Sequence, residues 1–325
     1  VVENLFWLGR YSERFDDSAR MLRVALSRVV VGGGQKTNLV VAAMELARRL
    51  GVLPEPGEDN EVKEGSEHEL LEAIYDPEQP GSLARNIRSV MWSATHVRER
   101  LSLDHWHSLS RLQRDQQAAL KVHPTLTEAI AFLDRVLGVS SSLTGFAMDN
   151  MTRDDGWRFL MIGRRLERLS FLAMTVAHFL RMPSTRSPGS LEWLLELSDS
   201  IITYRSRYSR QPELLPVVDL LVFDDSNPHG VVFQACVLGR YLERMSREFD
   251  ADFEGDLSGA LDRLLAFDLK RLEHVQFDDC LDYSHCEALA DLLQGLDTAA
   301  NKLSESLGMR YFTHVGDVSR QTMAL

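Results

Sequence analysis

The chain has 325 residues, 44% of them hydrophobic and 26% charged, which is material for one large domain or two of ordinary size. Its 36 Lys and Arg against 48 Asp and Glu give a formal charge of −12, which excludes the basic footprint of sequence-independent nucleic-acid binding and argues against an anionic membrane surface. Apolar runs such as Phe171 to Leu180, broken by His178, fall short of a span of roughly 20 residues; with no leader pattern at the start and only Cys236, Cys280 and Cys286, too few and too odd for a disulfide framework, the expected location is the cytoplasm.

Apolar residues recur at i, i+3, i+4 and i+7 from end to end, and period-2 alternation is almost absent. A first helix is predicted over 3–31, with Leu5, Leu8, Phe15, Leu22 and Leu26 on one stripe and Gly32-Gly33-Gly34 as its stop. A second covers 38–50, ended by Gly51 and Pro54. An acidic loop follows over 54–68, where Glu55, Glu58, Asp59, Glu61, Glu64 and Glu67 face Lys63 alone, the composition of a solvated linker or of a surface for a basic partner. Further helices are predicted over 67–75, 81–102, 104–121, 124–150, 154–181, 189–204, 212–223, 229–249, 256–273 and 283–312. Short connections rich in Pro, Gly, Asp and Asn join them, as in helical bundles. The expectation is an all-α protein, a single bundle of about a dozen helices.

The pattern repeats within the chain. Gly9-Arg10-Tyr11-Ser12-Glu13-Arg14 matches Gly163-Arg164-Arg165-Leu166-Glu167-Arg168, and Asp76-Pro77-Glu78-Gln79-Pro80 matches Asp224-Asp225-Ser226-Asn227-Pro228 at nearly the same separation. Each half closes on a leucine-spaced helix, around Leu133–Leu143 and Leu289–Leu307. Related units of this kind pack face to face, so one domain of two halves, about 1–152 and 153–325, is expected. Gly239 to Arg244 is a third look-alike on a non-equivalent helix.

The Gly-Arg-x-x-Glu-Arg element places Arg10, Glu13 and Arg14 on one helical face. Glu167 stands in the apolar stripe itself, with Leu160, Gly163, Phe171 and Met174 at −7, −4, +4 and +7. Glu13 has Phe6 and Gly9 beside it, with Asp17 diluting the apolar side. An ionised carboxylate there needs a partner, and the arginines of a facing helix would supply it while the glycines allow close approach. Such Glu/Arg clusters, Arg10, Glu13 and Arg14 with Arg164, Glu167 and Arg168, read either as a polar pocket or as a structural network that fixes register. Arg85, Asn86 and Arg88 at one helix start, and Tyr204, Arg205 and Arg207 at one helix end, carry forks suited to phosphate or carboxylate, or else form solvated faces.

Familiar catalytic patterns fail. Gly32-Gly33-Gly34-Gln35-Lys36-Thr37 has Gln35 where a phosphate loop needs Gly, and no strand before it. No Gly-x-Ser-x-Gly elbow occurs. A di-iron bundle wants Glu-x-x-His pairs, and His107 and His285 have Asp104 and Asp282 instead. Cys280, Asp282, His285 and Cys286 match no closed zinc spacing. No metal or cofactor is assigned to the chain.

Taken together, Asn4 to Arg14, Pro80 to Arg88, Phe159 to Arg168, Ile202 to Tyr208, Asn227-Pro228 with Phe233-Gln234, and Tyr311-Phe312-Thr313-His314 resemble the alpha-E domain proteins, an all-helical bacterial family with a Glu-Arg signature. Ala84 and Asn86 vary the basic helix start, and Val237 to Arg244 departs from the usual pattern. The resemblance implies company rather than chemistry. Such proteins are encoded beside, or fused to, circularly permuted ATP-grasp proteins resembling amide or peptide ligases, and transglutaminase-like peptidases are frequent neighbours. The expectation is an accessory subunit of such a ligase that helps bind a peptide-like or anionic substrate, ATP and magnesium residing on the partner. The alternatives are an enzyme in its own right with Glu13 and Glu167 as acid/base groups, and a helical scaffold whose ion pairs are purely structural.

Overall fold

A computed structural model describes residues 1–33, 37–55, 66–119, 124–249, 255–273, 275–277 and 282–312. Most of the acidic stretch 54–68, together with Cys280, Thr313 and His314, lies outside them. The described residues form 13 α-helices and no strand: α1 Val2–Val31, α2 Asn38–Arg49, α3 Ser66–Tyr75, α4 Leu83–Thr95, α5 Leu103–Ala119, α6 Leu126–Asp149, α7 Asp155–Arg181, α8 Ser190–Leu197, α9 Ile201–Tyr208, α10 Leu214–Val218, α11 Val231–Phe249, α12 Asp256–Leu265 and α13 Ser284–Leu307. The protein is all-α.

Helix starts follow local chemistry. Thr37, Ser82 and Asp154 cap α2, α4 and α7 by accepting a backbone N–H from Val40, Arg85 and Trp157. Thr125 and Glu128 form a reciprocal capping box on α6. Five predicted helices are shorter or broken. The 81–102 stretch leaves the α-helix after Thr95, where Thr95 Oγ1 and His96 Nδ1 bond back to the carbonyls of Met91 and Trp92, and a 3-10 turn takes Arg98–Arg100. The 189–204 stretch breaks into α8 and α9 at Ser198-Asp199-Ser200; Asp199 takes φ 50°, and Ser200 Oγ donates to the Ser198 carbonyl. The 212–223 stretch gives α10 and a π turn over Asp219–Phe223, 256–273 ends α12 at Leu265 before a 3-10 turn over Leu269–Leu272, and the last helix closes in a π turn over Gly308–Phe312.

Two long helices make the centre. In α1 the predicted stripe of Leu5, Leu8, Phe15, Leu22 and Leu26 is buried, and α7 buries residues on nearly every side. They run in the same direction: Leu5 lies beside Gly156, Phe6 beside Gly163, and Arg14 beside Glu167. Two glycines let them touch. A Cβ on Gly9 would sit 2.1 Å from the Leu160 carbonyl oxygen, and one on Gly163 would sit 2.2 Å from that of Phe6. Around this pair the packing is reciprocal. Helices α4 and α6 cover α1 as α11 and α13 cover α7; α5 rests on α6 as α12 rests on α13.

Among the described residues α6 is the one helix with the length and mean hydropathy, 1.2 over 18 residues, to suit a membrane crossing. Its apolar side, including Phe132, Leu133, Val136 and Leu143, is buried, and the helix packs on α1 and α5.

Candidate functional site

The Glu-Arg clusters of α1 and α7 meet at the centre of the fold and exchange partners. Glu13 of α1 is 2% exposed and is gripped by α7: Arg164 Nε donates to Oε1 at 2.7 Å and Arg168 Nε to Oε2 at 2.8 Å. Glu167 of α7 is gripped by α1: Arg14 donates from Nε at 2.6 Å and Nη2 at 3.1 Å, and Arg10 from Nε. The inner arginine of each helix also reaches a flanking hydroxyl, Arg10 that of Ser304 on α13 and Arg164 that of Thr144 on α6, both at 2.7 Å. Neither glutamate uses the arginines of its own turn. The i, i+4 spacing instead points both guanidiniums at the facing helix.

These contacts set the charge states. Burial alone would raise the Glu13 carboxyl, but the charges of Arg168 and Arg164, with the Arg164 hydrogen bond, hold it down to about 2. Burial is likewise outweighed at Glu167 by Arg10 and Arg14, and its carboxyl is lowered. Both are ionised throughout the neutral range. A fifth guanidinium, Arg165, donates to Gln234 Oε1 at 3.1 Å; burial, then its neighbours Arg168 and Arg164, lower it to about 10. Arg10, Arg14, Arg164 and Arg168 thus grip two glutamates, with the carboxyl groups of Asp16 and Asp17 buried beside Arg168.

One side of this cluster opens into a cavity of about 200 Å³. Helix α1 contributes Arg14, Asp17 and Ser18, α7 contributes Glu167, Ser170 and His178, α2 ends on it with Arg49, and α4 adds Asn86. Its floor is two tight turns in contact: Gly81 takes φ +78°, and a Cβ there would sit 1.8 Å from the Gly51 carbonyl oxygen. Arg14 and Arg49 are 40% and 41% exposed in their side chains and give the cavity cations within reach of solvent.

The candidate residues therefore divide. Arg10, Glu13, Arg14, Arg164, Glu167 and Arg168 converge, and Asn86 joins them by lining the cavity and donating to Ser18 Oγ at 2.9 Å. The others stand elsewhere. Arg85 and Arg88 are exposed on α4, and Arg88 pairs with Glu78 at 2.9 Å. Arg205 pairs with Glu192 and Arg207 with Asp224, both on exposed surface. Tyr204 is fully buried; its hydroxyl donates to the Gln211 carbonyl at 3.2 Å and accepts from the Glu213 N–H at 3.3 Å, which is the task of a core residue.

Asp17, Arg49 and His178 are the cavity residues that motif reasoning passes over. Two carry a signal. Asp17 is a carboxylate one turn beyond Glu13 on a buried stripe, and His178 interrupts an apolar run. Arg49 carries none, since its approach depends on how α2 packs. Among the described residues no group of three or more His, Cys, Asp or Glu side chains is placed to hold a metal ion.

Comparison with known proteins places the chain. It is 30% identical over 253 residues to the uncharacterized protein Rv2567 of Mycobacterium tuberculosis and to the uncharacterized protein Mb2597 of Mycobacterium bovis, a match covering 72% of this chain. The chain spans only 28% of the length of those relatives. No solved structure matches it significantly. The Alpha-E family model, described as a predicted alpha-helical domain with a conserved ER motif, matches residues 1–312. Glu-Arg occurs here at 13–14, 99–100, 167–168 and 243–244, and the pairs at 13–14 and 167–168 are the two that meet across α1 and α7. The chain belongs to the Alpha-E family.

Proposed function

We propose that this chain is the substrate-binding companion of an amide or peptide ligase of the ATP-grasp class, and that it holds the anionic end of a peptide-like substrate. The observation that carries the reading is the cavity beside the α1–α7 contact, which brings the Arg14 and Arg49 guanidiniums to solvent. Anionic groups suit such forks. Proton transfer suits Glu13 and Glu167 poorly, because each is locked as an anion between two guanidiniums. The length of the mycobacterial relatives adds support: the stretch similar to this chain is 28% of each, so the unit occurs there beside other polypeptide.

A ligase of that class forms an acyl phosphate from a carboxylate and passes it to an amine. It brings its own ATP and magnesium, so the division of labour asks this chain for recognition alone, in the compartment that holds ATP, the cytoplasm. A transglutaminase-like peptidase would act on amide bonds of the same kind. The reading also takes the chain as one domain of two related halves, 1–152 and 153–325, which fits the reciprocal packing around α1 and α7. The test is affinity purification of the tagged chain from its native host with ATP and magnesium present. Recovery of an ATP-grasp protein is expected; its absence at micromolar chain concentration overturns the reading.

A further inference from the structure

The cavity beside Arg14 is lined by two polar groups that the fold leaves without a partner. Around its wall, Glu167 is held by two arginines, Ser18 Oγ accepts from Asn86, Arg49 pairs with Glu45 at 2.9 Å, and Ser170 donates to Asp297. Asp17 is only 8% exposed and makes no hydrogen bond or ion pair among the described residues. His178 Nδ1 is also buried without a partner there. A largely buried carboxyl that no protein donor reaches, lining an open cavity whose other polar groups are mostly paired, marks where a ligand atom belongs.

We propose that this cavity binds a carboxylate, the C-terminal group of a peptide or of an amide-bearing small acid, with the Asp17 carboxyl donating its O–H to one ligand oxygen and Arg14 and Arg49 supplying the opposing charge. The inference rests on the anionic-substrate reading above and names the class. Its geometry is a cavity of about 200 Å³. That volume accommodates a carboxylate and several atoms behind it.

The charge state of Asp17 follows from what faces it. Burial, then the charges of Glu13 and Asp16 on its own helix and of Glu167 on α7, outweigh Arg168 and push its carboxyl well above the usual range. From the other walls, Arg49 of α2 is cationic, Asn86 of α4 is neutral, and His178 of α7 is kept neutral by burial and by the charges of Arg49 and Arg181. A protonated Asp17 offers an O–H donor that a carboxylate can accept, which its ionised form lacks.

Calorimetric titration of the purified chain separates the alternatives with three probes. N-acetylglycine carries the carboxylate without an amine, glycinamide the amine without the carboxylate, and inorganic phosphate tests a generic anion. N-acetylglycine is expected to bind near 1 mM, as its size allows, and to weaken as pH rises and Asp17 ionises. Asp17→Asn keeps an N–H donor and is expected to bind with a flattened pH profile, whereas Asp17→Leu loses binding. Arg49→Gln, on an exposed side chain that the fold does not need, weakens it roughly tenfold with an unchanged thermal midpoint. Glycinamide binding that strengthens with pH, phosphate binding tighter than N-acetylglycine, or wild-type affinity in Asp17→Leu would each overturn the assignment. Ligase recovery without N-acetylglycine binding overturns this inference alone; binding without ligase recovery overturns the partner reading alone.

Discussion

Glu13→Gln removes one negative charge from between two buried guanidiniums and leaves almost every atom in place. The Glu13 carboxyl is lowered from 4.5 to about 2, and each tenfold change in acidity is worth about 1.4 kcal/mol, so its ionised form stabilises the fold by about 3 kcal/mol. Breaking one side of a buried ion pair costs about 3 to 5 kcal/mol in general, which agrees. At about 2 to 4 °C per kcal/mol, the thermal midpoint at pH 7 should fall by at least about 6 °C. The pH dependence carries the sharper test. A carboxyl with a lowered folded-state pKa contributes fully above its unfolded value and loses that contribution as pH falls through the folded value. Wild type and Glu13→Gln should therefore differ most at pH 6 to 7 and converge from about pH 5 towards pH 2. Urea unfolding followed by circular dichroism at pH 7, 5 and 3 measures the gap. A gap under about 1 kcal/mol at pH 7, or one that does not narrow on acidification, would refute the view that Arg164 and Arg168 hold this carboxylate ionised.

Gly9→Ala should cost about 3 kcal/mol in urea unfolding, because its Cβ meets backbone rather than a movable side chain, whereas Gly138→Ala on α6, with open space around it, should stabilise by about 0.5 to 1 kcal/mol. Tyr204→Phe should lose about 1 to 2 kcal/mol by orphaning the Gln211 carbonyl and the Glu213 N–H, while Arg205→Ala and Arg207→Ala each move the thermal midpoint by less than the equivalent of about 1 kcal/mol. Burial, then Arg164, lower His105 to about 4, so the folded state resists its protonation. Stability should fall as pH drops from about 6.5 to about 4, and His105→Gln should flatten that part of a midpoint-against-pH curve.

What the sequence makes legible is what helical period controls. Glu167, flanked by apolar residues at one and two turns, could only sit on the packed side of α7, and Gly9 and Gly163 in the same motif point to a facing helix at close range. What it hides depends on competition over one or two residues. Ser198-Asp199-Ser200 reads as a helix interior by period, yet the Ser200 hydroxyl bonds back to the Ser198 carbonyl and Asp199 turns left-handed, so α8 and α9 separate. Tyr204 sits among arginines in sequence and reads as part of a polar end. Its ring is fully buried instead, and it is the one residue of α9 that is buried. The cavity is less visible still, since Arg49, Asp17 and His178 come together through the packing of α2 against α7 and of α1 against α7.

The reciprocal grip has a consequence for assembly as well as for binding. If each glutamate had paired with arginines of its own helix, α1 and α7 could slide past one another at little electrostatic cost. Because Glu13 is satisfied only by α7 and Glu167 only by α1, a shift of one turn would leave two carboxylates and four guanidiniums unpaired in a largely buried contact. The glycines enforce the same register sterically, since a side chain at Gly9 would meet the Leu160 backbone and one at Gly163 the Phe6 backbone. Register, spacing and charge balance thus depend on the same twelve positions of sequence, 9–14 and 163–168. Arg165, whose guanidinium goes to Gln234, lies outside this exchange. Arg14 takes part in it and still remains 40% exposed in its side chain at the cavity, so the residue that fixes register is also the one that the proposed anionic ligand would meet.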